Sequence, residues 1–174
     1  MENHALTATE AVCRARDLLE EVTPLSSDCG RLCSAACCRD DPEYETSGML
    51  LFPGEAALYD APEAKMWMEI TPSGLVHHGS PVPLLSCRLP CPRRLRPLAC
   101  RLFPLTPYVR GDRLTLRMDV RARPVCPLCD YGLQGLSPDF VSAVREALRI
   151  LWAQEEQRDF LYTLTSHLKE YEWM

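Results

Sequence analysis

Several features that mark other protein classes are scarce in, or missing from, this 174-residue sequence. Glycine occurs only 8 times and forms no glycine-rich loop, which argues against a phosphate-cradling nucleotide site. The net charge of −5 provides no basic footprint, so nucleic acid is not expected as a partner. No apolar run approaches the ~20 residues of a membrane-spanning helix, so no membrane partner is expected. The sequence also contains no recognisable catalytic triad, paired-carboxylate site or internal repeat.

Signals for export are missing as well. The first residues show no basic segment followed by an apolar segment, so the sequence predicts no secretory signal peptide and a cytoplasmic location. Thiols stay reduced in that compartment. Against this background, the 10 cysteines are the unusual quantity in the composition. Clustered reduced cysteines are typical of metal ligands, and a framework of structural disulfides is the weaker alternative.

Helical periodicity marks both ends of the chain. A capping box formed by Thr7 and Glu10 begins an N-terminal helix that we predict over residues 7–22. A serine N-cap followed by proline begins C-terminal helices that we predict over residues 137–172, with a break near Gln154. These helices are expected to pack against the region between them.

The stretch between the helices predicts short hairpins and irregular loops. One hairpin is predicted to turn at residues 71–74 and another at residues 110–113. Residues 79–107 carry many of the 15 prolines, and each proline removes a backbone donor, so we predict an ordered loop held by metal ligation rather than by backbone ladders. The overall prediction is a single α+β domain over residues 1–174, in which metal clamps the cysteine-rich region, residues 25–130, against the helices.

Nine of the 10 cysteines fall into three groups along the sequence. The groups are Cys29, Cys33, Cys37 and Cys38; Cys87, Cys91 and Cys100; and Cys126 and Cys129. The last pair has the Cys-x-x-Cys spacing that lets two thiolates converge on one metal. The first three cysteines would share one face if their segment is helical. Because gathered thiolates repel one another unless a cation or cluster neutralises them, all nine are candidate metal ligands.

Other interpretations of the cysteines and histidines are weaker. A thioredoxin-type redox pair would start a helix, whereas glycines follow the Cys-x-x-Cys pair here. A radical S-adenosylmethionine site has the spacing Cys-x-x-x-Cys-x-x-Cys, but Ala36 occupies the third cysteine position. His77 and His78 are predicted to point to opposite faces of a strand, so joint ligation is not expected. Cys13 stands alone on the N-terminal helix and is interpreted as a small buried hydrophobe.

A longer motif connects two of the cysteine groups. The run from Cys29 to Cys38, together with the string Arg96-Pro97-Leu98-Ala99-Cys100-Arg101-Leu102-Phe103-Pro104, resembles the YkgJ-type family of cysteine-cluster proteins, described as zinc- or iron-chelating domains. The resemblance covers roughly residues 25–130. It implies that the metal-ligand candidates are Cys29, Cys33, Cys37, Cys38, Cys91 and Cys100, with Cys87 included. It also implies iron–sulfur or zinc binding without a settled reaction, although some longer relatives are flagellin lysine methylases.

The donor set suits either an iron–sulfur cluster, the 4Fe–4S type included, or zinc. Nine clustered thiols exceed the four of one zinc site, which favours iron–sulfur and leaves the number of sites open. Arg96 and Arg101 flank Cys100; they either donate hydrogen bonds around the cofactor or form structural ion pairs with acidic residues.

Three functions remain open on this basis. The protein binds metal for electron transfer or sensing, it catalyses oxidoreduction or group transfer, or it is an interaction module in which structural zinc shapes a surface for a protein partner. The sequence does not decide whether the protein is an enzyme.

Overall fold

The computed structural model describes residues 5–38, 48–88 and 91–172. Within them the α-helices are α1 (Ala8–Leu18), α2 (Gly30–Cys33), α3 (Pro62–Trp67), α4 (Leu98–Leu102), α5 (Pro138–Ala153) and α6 (Glu155–Tyr171). The strands are β1 (Met49–Leu50), β2 (Met68–His77), β3 (Ser80–Cys87), β4 (Leu105–Arg110) and β5 (Arg113–Met118). Short 3-10 turns lie at Ala36–Cys38, Ala56–Tyr59, Arg93–Leu95, Val120–Ala122 and Pro127–Gly135. The fold is α+β, as predicted; residues 39–47 and 89–90 of the predicted cysteine-rich region lie outside the described residues.

Helix α1 begins with the predicted capping box. The Thr7 hydroxyl accepts a hydrogen bond from the Glu10 amide at 3.2 Å, and the Glu10 carboxylate accepts one from the Thr7 amide at 2.8 Å. The helix ends at Leu18 rather than at residue 22. Backbone carbonyls just beyond this end accept hydrogen bonds from the Arg93 side chain, which lies in a distant turn. These carbonyls are therefore paired with Arg93 and not with amides of a further helical turn.

Helices α5 and α6 form the C-terminal pair, and the chain breaks between them at Gln154, as predicted. The Gln154 side-chain oxygen accepts a hydrogen bond from the Gln157 amide at 2.7 Å and so caps α6. Ser137 occupies the cap position of α5, but within the described residues its side chain makes no capping hydrogen bond. Phe140 of α5 and Phe160 of α6 are buried in the main core, which also takes the apolar face of α1.

A three-stranded antiparallel sheet has the order β1-β3-β2. The predicted turn at residues 71–74 is wrong, because β2 runs through it as one strand with an irregularity in its register. The chain instead reverses at His78 and Gly79, where positive φ angles of 48° and 77° close a tight turn between β2 and β3.

Strand β3 also corrects the prediction of an irregular loop over residues 79–107. It is extended over Ser80–Cys87 and pairs with β2 along most of its length. Pro81 and Pro83 are compatible with this strand because β1, on its other side, pairs with only two later residues of β3. The strand ends at Cys87 and thereby fixes the position of that cysteine.

Strands β4 and β5 form the second hairpin, as predicted. Arg110 pairs with Arg113 across a turn in which Gly111 has a φ of 59°. The hairpin is joined to α6 by the Val109 amide, which donates to the Thr165 hydroxyl at 2.9 Å. None of the helices in the described parts of the chain has both the length and the apolar character needed to cross a membrane.

Candidate metal centre

Eight of the nine candidate cysteines line one open cavity of about 930 Å³, a volume that includes adjoining solvent. They are Cys29, Cys33, Cys37, Cys38, Cys87, Cys91, Cys100 and Cys126. Cys129 follows them in a turn and is not among the lining residues described, and Cys13 lies elsewhere, on α1. Segments that are distant in sequence therefore bring thiols to one place.

The first group of cysteines does not share one helical face, so that prediction is wrong. Helix α2 ends at Cys33. Ser34 and Ala35 then have positive φ angles of 52° and 55°, and a separate 3-10 turn follows. The Ala35 amide closes the end of α2 by donating to the Gly30 carbonyl at 2.8 Å. This reversal lets cysteines on both sides of it face the cavity.

The other thiols come from a strand end, two turns and a short helix. Cys87 ends β3, and Cys100 lies in α4. The Cys91 sulfur lies 3.5 Å from the carbonyl oxygen of the next residue. At the start of the last 3-10 turn, the Cys129 amide donates to the Cys126 carbonyl at 3.1 Å. Regular backbone structure thus holds most of these cysteines at the edge of the cavity.

In two pairs of neighbouring thiols, each thiol changes the pKa of the other. The sulfurs of Cys37 and Cys38 lie 3.9 Å apart. Their hydrogen bond raises the pKa of Cys37 and lowers the pKa of Cys38, which the charge of Arg96 lowers further. The interaction of the Cys87 and Cys91 thiols likewise raises the pKa of Cys87 and lowers that of Cys91. Each pair therefore contains one thiol whose pKa is lowered, and the thiolate is the form that binds metal.

The thiols around the cavity are not joined covalently. All 10 cysteines are free, so the disulfide framework considered from the sequence is absent. In the described residues, no three His, Cys, Asp or Glu side chains converge closely enough to hold a metal ion as they stand. Ligation therefore requires cysteine side chains to rotate toward a common point. Apart from Asp28, the metal-ligating side chains that line the cavity are soft thiols, which suit zinc and iron–sulfur clusters.

Arg101 and Arg93 hold the segment after Cys91 against α1. The buried Arg101 guanidinium donates to the Glu20 carboxylate and to the backbone carbonyls of Arg16, Arg93, Arg94 and Arg96. The Arg93 guanidinium donates to the carbonyls of Leu19, Glu20 and Val22, at the end of α1. These contacts agree with the ion-pair interpretation of Arg101. Within the described residues, no thiol accepts a hydrogen bond from it.

Arg96 lines the cavity, as Arg93 and Arg101 do, but it takes no part in the contacts with α1 described above. Its Nε is buried and has no hydrogen-bond partner within the described residues. Burial raises the pKa values of Cys29 and Cys100, and the charge of Arg96 opposes that rise. The same charge contributes to the lowered pKa values of Cys38 and Cys91. Arg96 is thus a cation that favours the thiolate forms around the cavity.

The sequence analysis did not identify Glu55, a buried residue that positions the helix carrying Cys100. This residue is fully buried, and its carboxylate accepts hydrogen bonds from the Phe52 amide at 3.1 Å and from the Leu98 amide at 2.7 Å. Burial raises the pKa of Glu55, and the two hydrogen bonds oppose that rise. The Leu98 contact fixes the first residue of α4, the helix that carries Cys100. No local pattern predicts this contact, because the two residues are 43 positions apart.

The two adjacent histidines do not point to opposite faces, so that prediction is wrong. The ring centroids of His77 and His78 are 4.1 Å apart, because His78 lies in the positive-φ turn rather than in the strand. The Nδ1 atom of His77 forms a hydrogen bond with the Thr163 hydroxyl at 2.8 Å. Neither histidine is among the residues described as lining the cavity.

The ion pair of Glu20 with Arg101 is expected to make part of the stability of the folded state depend on pH. The Arg101 hydrogen bond lowers the pKa of Glu20 below its ordinary value of 4.5. Such a carboxylate stabilises the folded state at pH values above its ordinary pKa. This contribution to stability is lost as the pH falls through the lowered pKa. In urea titrations, Glu20→Gln is therefore expected to be less stable than the wild type near neutral pH, with a difference that shrinks below about pH 4.5.

The exposed neighbour Glu21 supplies the control, since Glu21→Gln is expected to leave this pH dependence unchanged. A stability difference between Glu20→Gln and the wild type that stays constant down to about pH 3 contradicts the assignment.

Comparisons of the chain with models of known families, with curated proteins and with solved structures find no match. The resemblance to the YkgJ-type family therefore rests on the run from Cys29 to Cys38, with its adjacent Cys37-Cys38 pair, and on the Arg-Pro-x-x-Cys-Arg-x-Phe-Pro string alone. Four residues of that string besides Cys100 line the cavity: Arg96, Arg101, Phe103 and Pro104.

Proposed function

We propose that the protein binds a metal centre through its clustered cysteines, as an iron–sulfur cluster or as zinc. The observation that carries the proposal is the meeting of eight thiols from separate stretches of chain at one cavity. Cys13, interpreted from the sequence as a buried hydrophobe, is itself only partly buried, so exposure does not separate it from the candidate ligands. The candidate ligands differ from it because eight of them meet at a cavity that arginines also line. Thiolates gathered in this way repel one another unless a cation compensates them. A reducing compartment such as the predicted cytoplasm would keep them available.

Iron–sulfur is favoured over zinc by Arg96. The nine cysteines exceed the four ligands of one zinc site and equally the four of one iron–sulfur cluster, so their number favours neither. The buried Nε of Arg96, which has no partner within the described residues, is a donor suited to a thiolate or sulfide sulfur. When bound, a cluster would supply electron transfer or sensing, while four of the nine candidate cysteines would hold it and Arg96 would offset its negative charge. Arg101 would act indirectly, by holding the segment that carries Cys91 and Cys100.

Structural zinc in a protein-interaction module is the second candidate function. Two exposed apolar side chains next to candidate ligands favour it. Leu32, beside Cys33, is 56% exposed, and Tyr131, close to Cys129, is 69% exposed. Exposed apolar side chains on a rigid segment are typical of protein-contact surfaces. Zinc would fix the segments that present them to a protein partner.

Metal analysis of the anaerobically purified chain tests the proposal. For a cluster we expect iron with acid-labile sulfide and broad absorbance near about 400 nm. For the second candidate we expect zinc in a colourless protein. Cys29→Ser is expected to lower the metal content by about half or more, because a four-thiolate site loses one ligand. Cys13→Ser lies outside the cavity and is the matched control, with wild-type content expected. A wild type without iron or zinc, or a Cys29→Ser chain with full content, contradicts the proposal.

A further inference from the structure

We propose that Cys37 and Cys38 form a redox switch, in which a peroxide closes a disulfide between these two neighbouring residues and thereby releases the metal. The disulfide step depends on the geometry of this pair alone, whereas the release of metal rests on the proposed function. In the reduced protein both residues are free thiols, and both line the cavity.

The distance between the two sulfurs carries the proposal. The Sγ atoms of Cys37 and Cys38 lie 3.9 Å apart and are thus already in contact. A disulfide bond is about 2 Å long, so the sulfurs need to approach each other by only about 2 Å more. Side-chain rotation supplies a movement of this size. The two thiols are therefore placed to react with each other as soon as one of them is oxidised.

An oxidant dissolved in the solvent can reach this pair. Cys37 is exposed, and the cavity that both residues line adjoins solvent. Solvent access and a nearby resolving cysteine are typical of redox-sensor thiols. Cys38 is partly buried directly beside the exposed thiol, so the pair has both properties.

The segment that carries the pair is lightly packed. Neither α2 nor the turn at Ala36–Cys38 contains a fully buried residue among those described. Such segments move at low cost in free energy. Movement is needed because neighbouring Cα atoms lie about 3.8 Å apart, closer than the roughly 4.4–6.8 Å usual for disulfides. A disulfide between neighbours is consequently strained and easily reduced, which makes the switch reversible in a reducing compartment.

The reaction consumes two thiols and one molecule of hydrogen peroxide. One sulfur of the pair, as its thiolate, attacks a peroxide oxygen: an S–O bond forms, the O–O bond breaks, and the departing hydroxide takes up a proton to become water. The neighbouring sulfur then attacks the resulting sulfenic acid. An S–S bond forms, the S–O bond breaks, and a second water leaves with the remaining thiol proton. Two electrons thus pass from the sulfurs to the peroxide.

Peptide mapping of the reduced, metal-free full chain tests the disulfide step. Trypsin releases residues 32–39, a peptide that carries Cys33 as well as the switch pair. After treatment with equimolar hydrogen peroxide and blocking of free thiols with N-ethylmaleimide, we expect this peptide to lack two hydrogen atoms and to carry a single blocked thiol, at Cys33. Three blocked thiols, or a disulfide that involves Cys33 or another segment, overturn the proposal.

Two serine variants separate the pair from its neighbour. Cys33→Ser alters the same peptide and is the matched control, in which the disulfide is expected to form as in the wild type. In Cys38→Ser the resolving thiol is missing, so Cys37 is expected to remain a sulfenic acid that dimedone traps. A disulfide within the peptide of Cys38→Ser, or none in that of Cys33→Ser, contradicts the assignment. The wild-type map decides the question if a variant does not fold.

Zinc release tests the consequence for the metal centre. Zinc has no redox chemistry of its own, so its loss under peroxide reports on the thiols. The zinc-loaded full chain is expected to release about half or more of its zinc with equimolar hydrogen peroxide, because thiolates bind the metal and a disulfide does not. Reduction with dithiothreitol is expected to restore zinc binding.

The failures of the switch and of the proposed function are distinguishable. Disulfide closure with full retention of zinc overturns the switch, while the metal-binding proposal stands. A reduced chain that takes up neither zinc nor iron overturns the proposed function and, with it, the release step.

Discussion

Replacing Arg101 with alanine is expected to lower the free energy of unfolding by about 3–5 kcal/mol, because it removes a buried guanidinium that donates five hydrogen bonds, and hydrogen bonds of charged groups contribute about 1.5–3 kcal/mol each without adding in full. The Arg101 side chain is only 3% exposed and pairs with Glu20. The substitution also leaves four backbone carbonyls without this donor. Those carbonyls belong to α1 and to the turn before α4, so the segment that carries Cys91 and Cys100 loses its main attachment to α1.

Urea denaturation followed by circular dichroism measures this effect, and Arg94 provides a matched control. Arg94 comes from the same segment and also pairs with a carboxylate, Glu63, but its side chain is 63% exposed. Arg94→Ala is therefore expected to cost less than about 1 kcal/mol. Arg101→Lys keeps the charge but not the planar fork, so an intermediate loss of stability is expected. This variant is measured instead if the alanine variant does not fold. Equal stabilities of the Arg101 and Arg94 variants would refute the role assigned to Arg101.

Removal of the metal centre is expected to loosen the cysteine-bearing segments while the main core stays folded. Helix α2 and the turn at Arg93–Leu95 contain no fully buried residue among those described. A ligand that binds only the folded state stabilises it by about 2.7 kcal/mol at 100 times its dissociation constant. Treatment with a chelator under reducing conditions is therefore expected to accelerate trypsin cleavage after Arg31 and Arg94 by about 100-fold or more.

Helix α5 contains the internal control for this experiment. Arg149 is exposed on α5, but the helix itself is anchored in the main core by buried residues such as Phe140 and Leu148. Cleavage after Arg149 is expected to be unchanged by the chelator. Unchanged cleavage after Arg31 and Arg94, or an equal acceleration after Arg149, argues against a metal that holds the cavity segments in particular.

The sequence predicted those features whose partners are close in the chain. Thr7 and Glu10 form the predicted capping box across three positions, and the predicted break near Gln154 lies where that residue caps α6. The turn at Gly111 joins two strands whose apolar residues alternate along the chain. A short stretch of sequence is therefore enough to predict this hairpin. The clustering of cysteines in short segments also indicated thiols that would lie near one another, and eight of them line one cavity.

Features that depend on distant partners could not be predicted in this way. The contact of Arg101 with Glu20 spans 81 positions, and no spacing rule identifies it. Residues 71–74 have the composition of a turn, yet Thr71 and Pro72 pair with β3 and the strand continues past an irregularity to pair again at Val76. Ser34 has a left-handed conformation that its residue type does not favour, and this reversal turned the predicted helical face into two separate elements.

X-ray absorption spectroscopy at the iron and zinc edges of the anaerobically purified chain tests thiolate ligation most directly. The account predicts a first coordination shell of sulfur alone, at about 2.3 Å from the metal, and no shell of nitrogen or oxygen. A shell of light atoms at about 2.0–2.2 Å, or a chain that holds no metal, would contradict it.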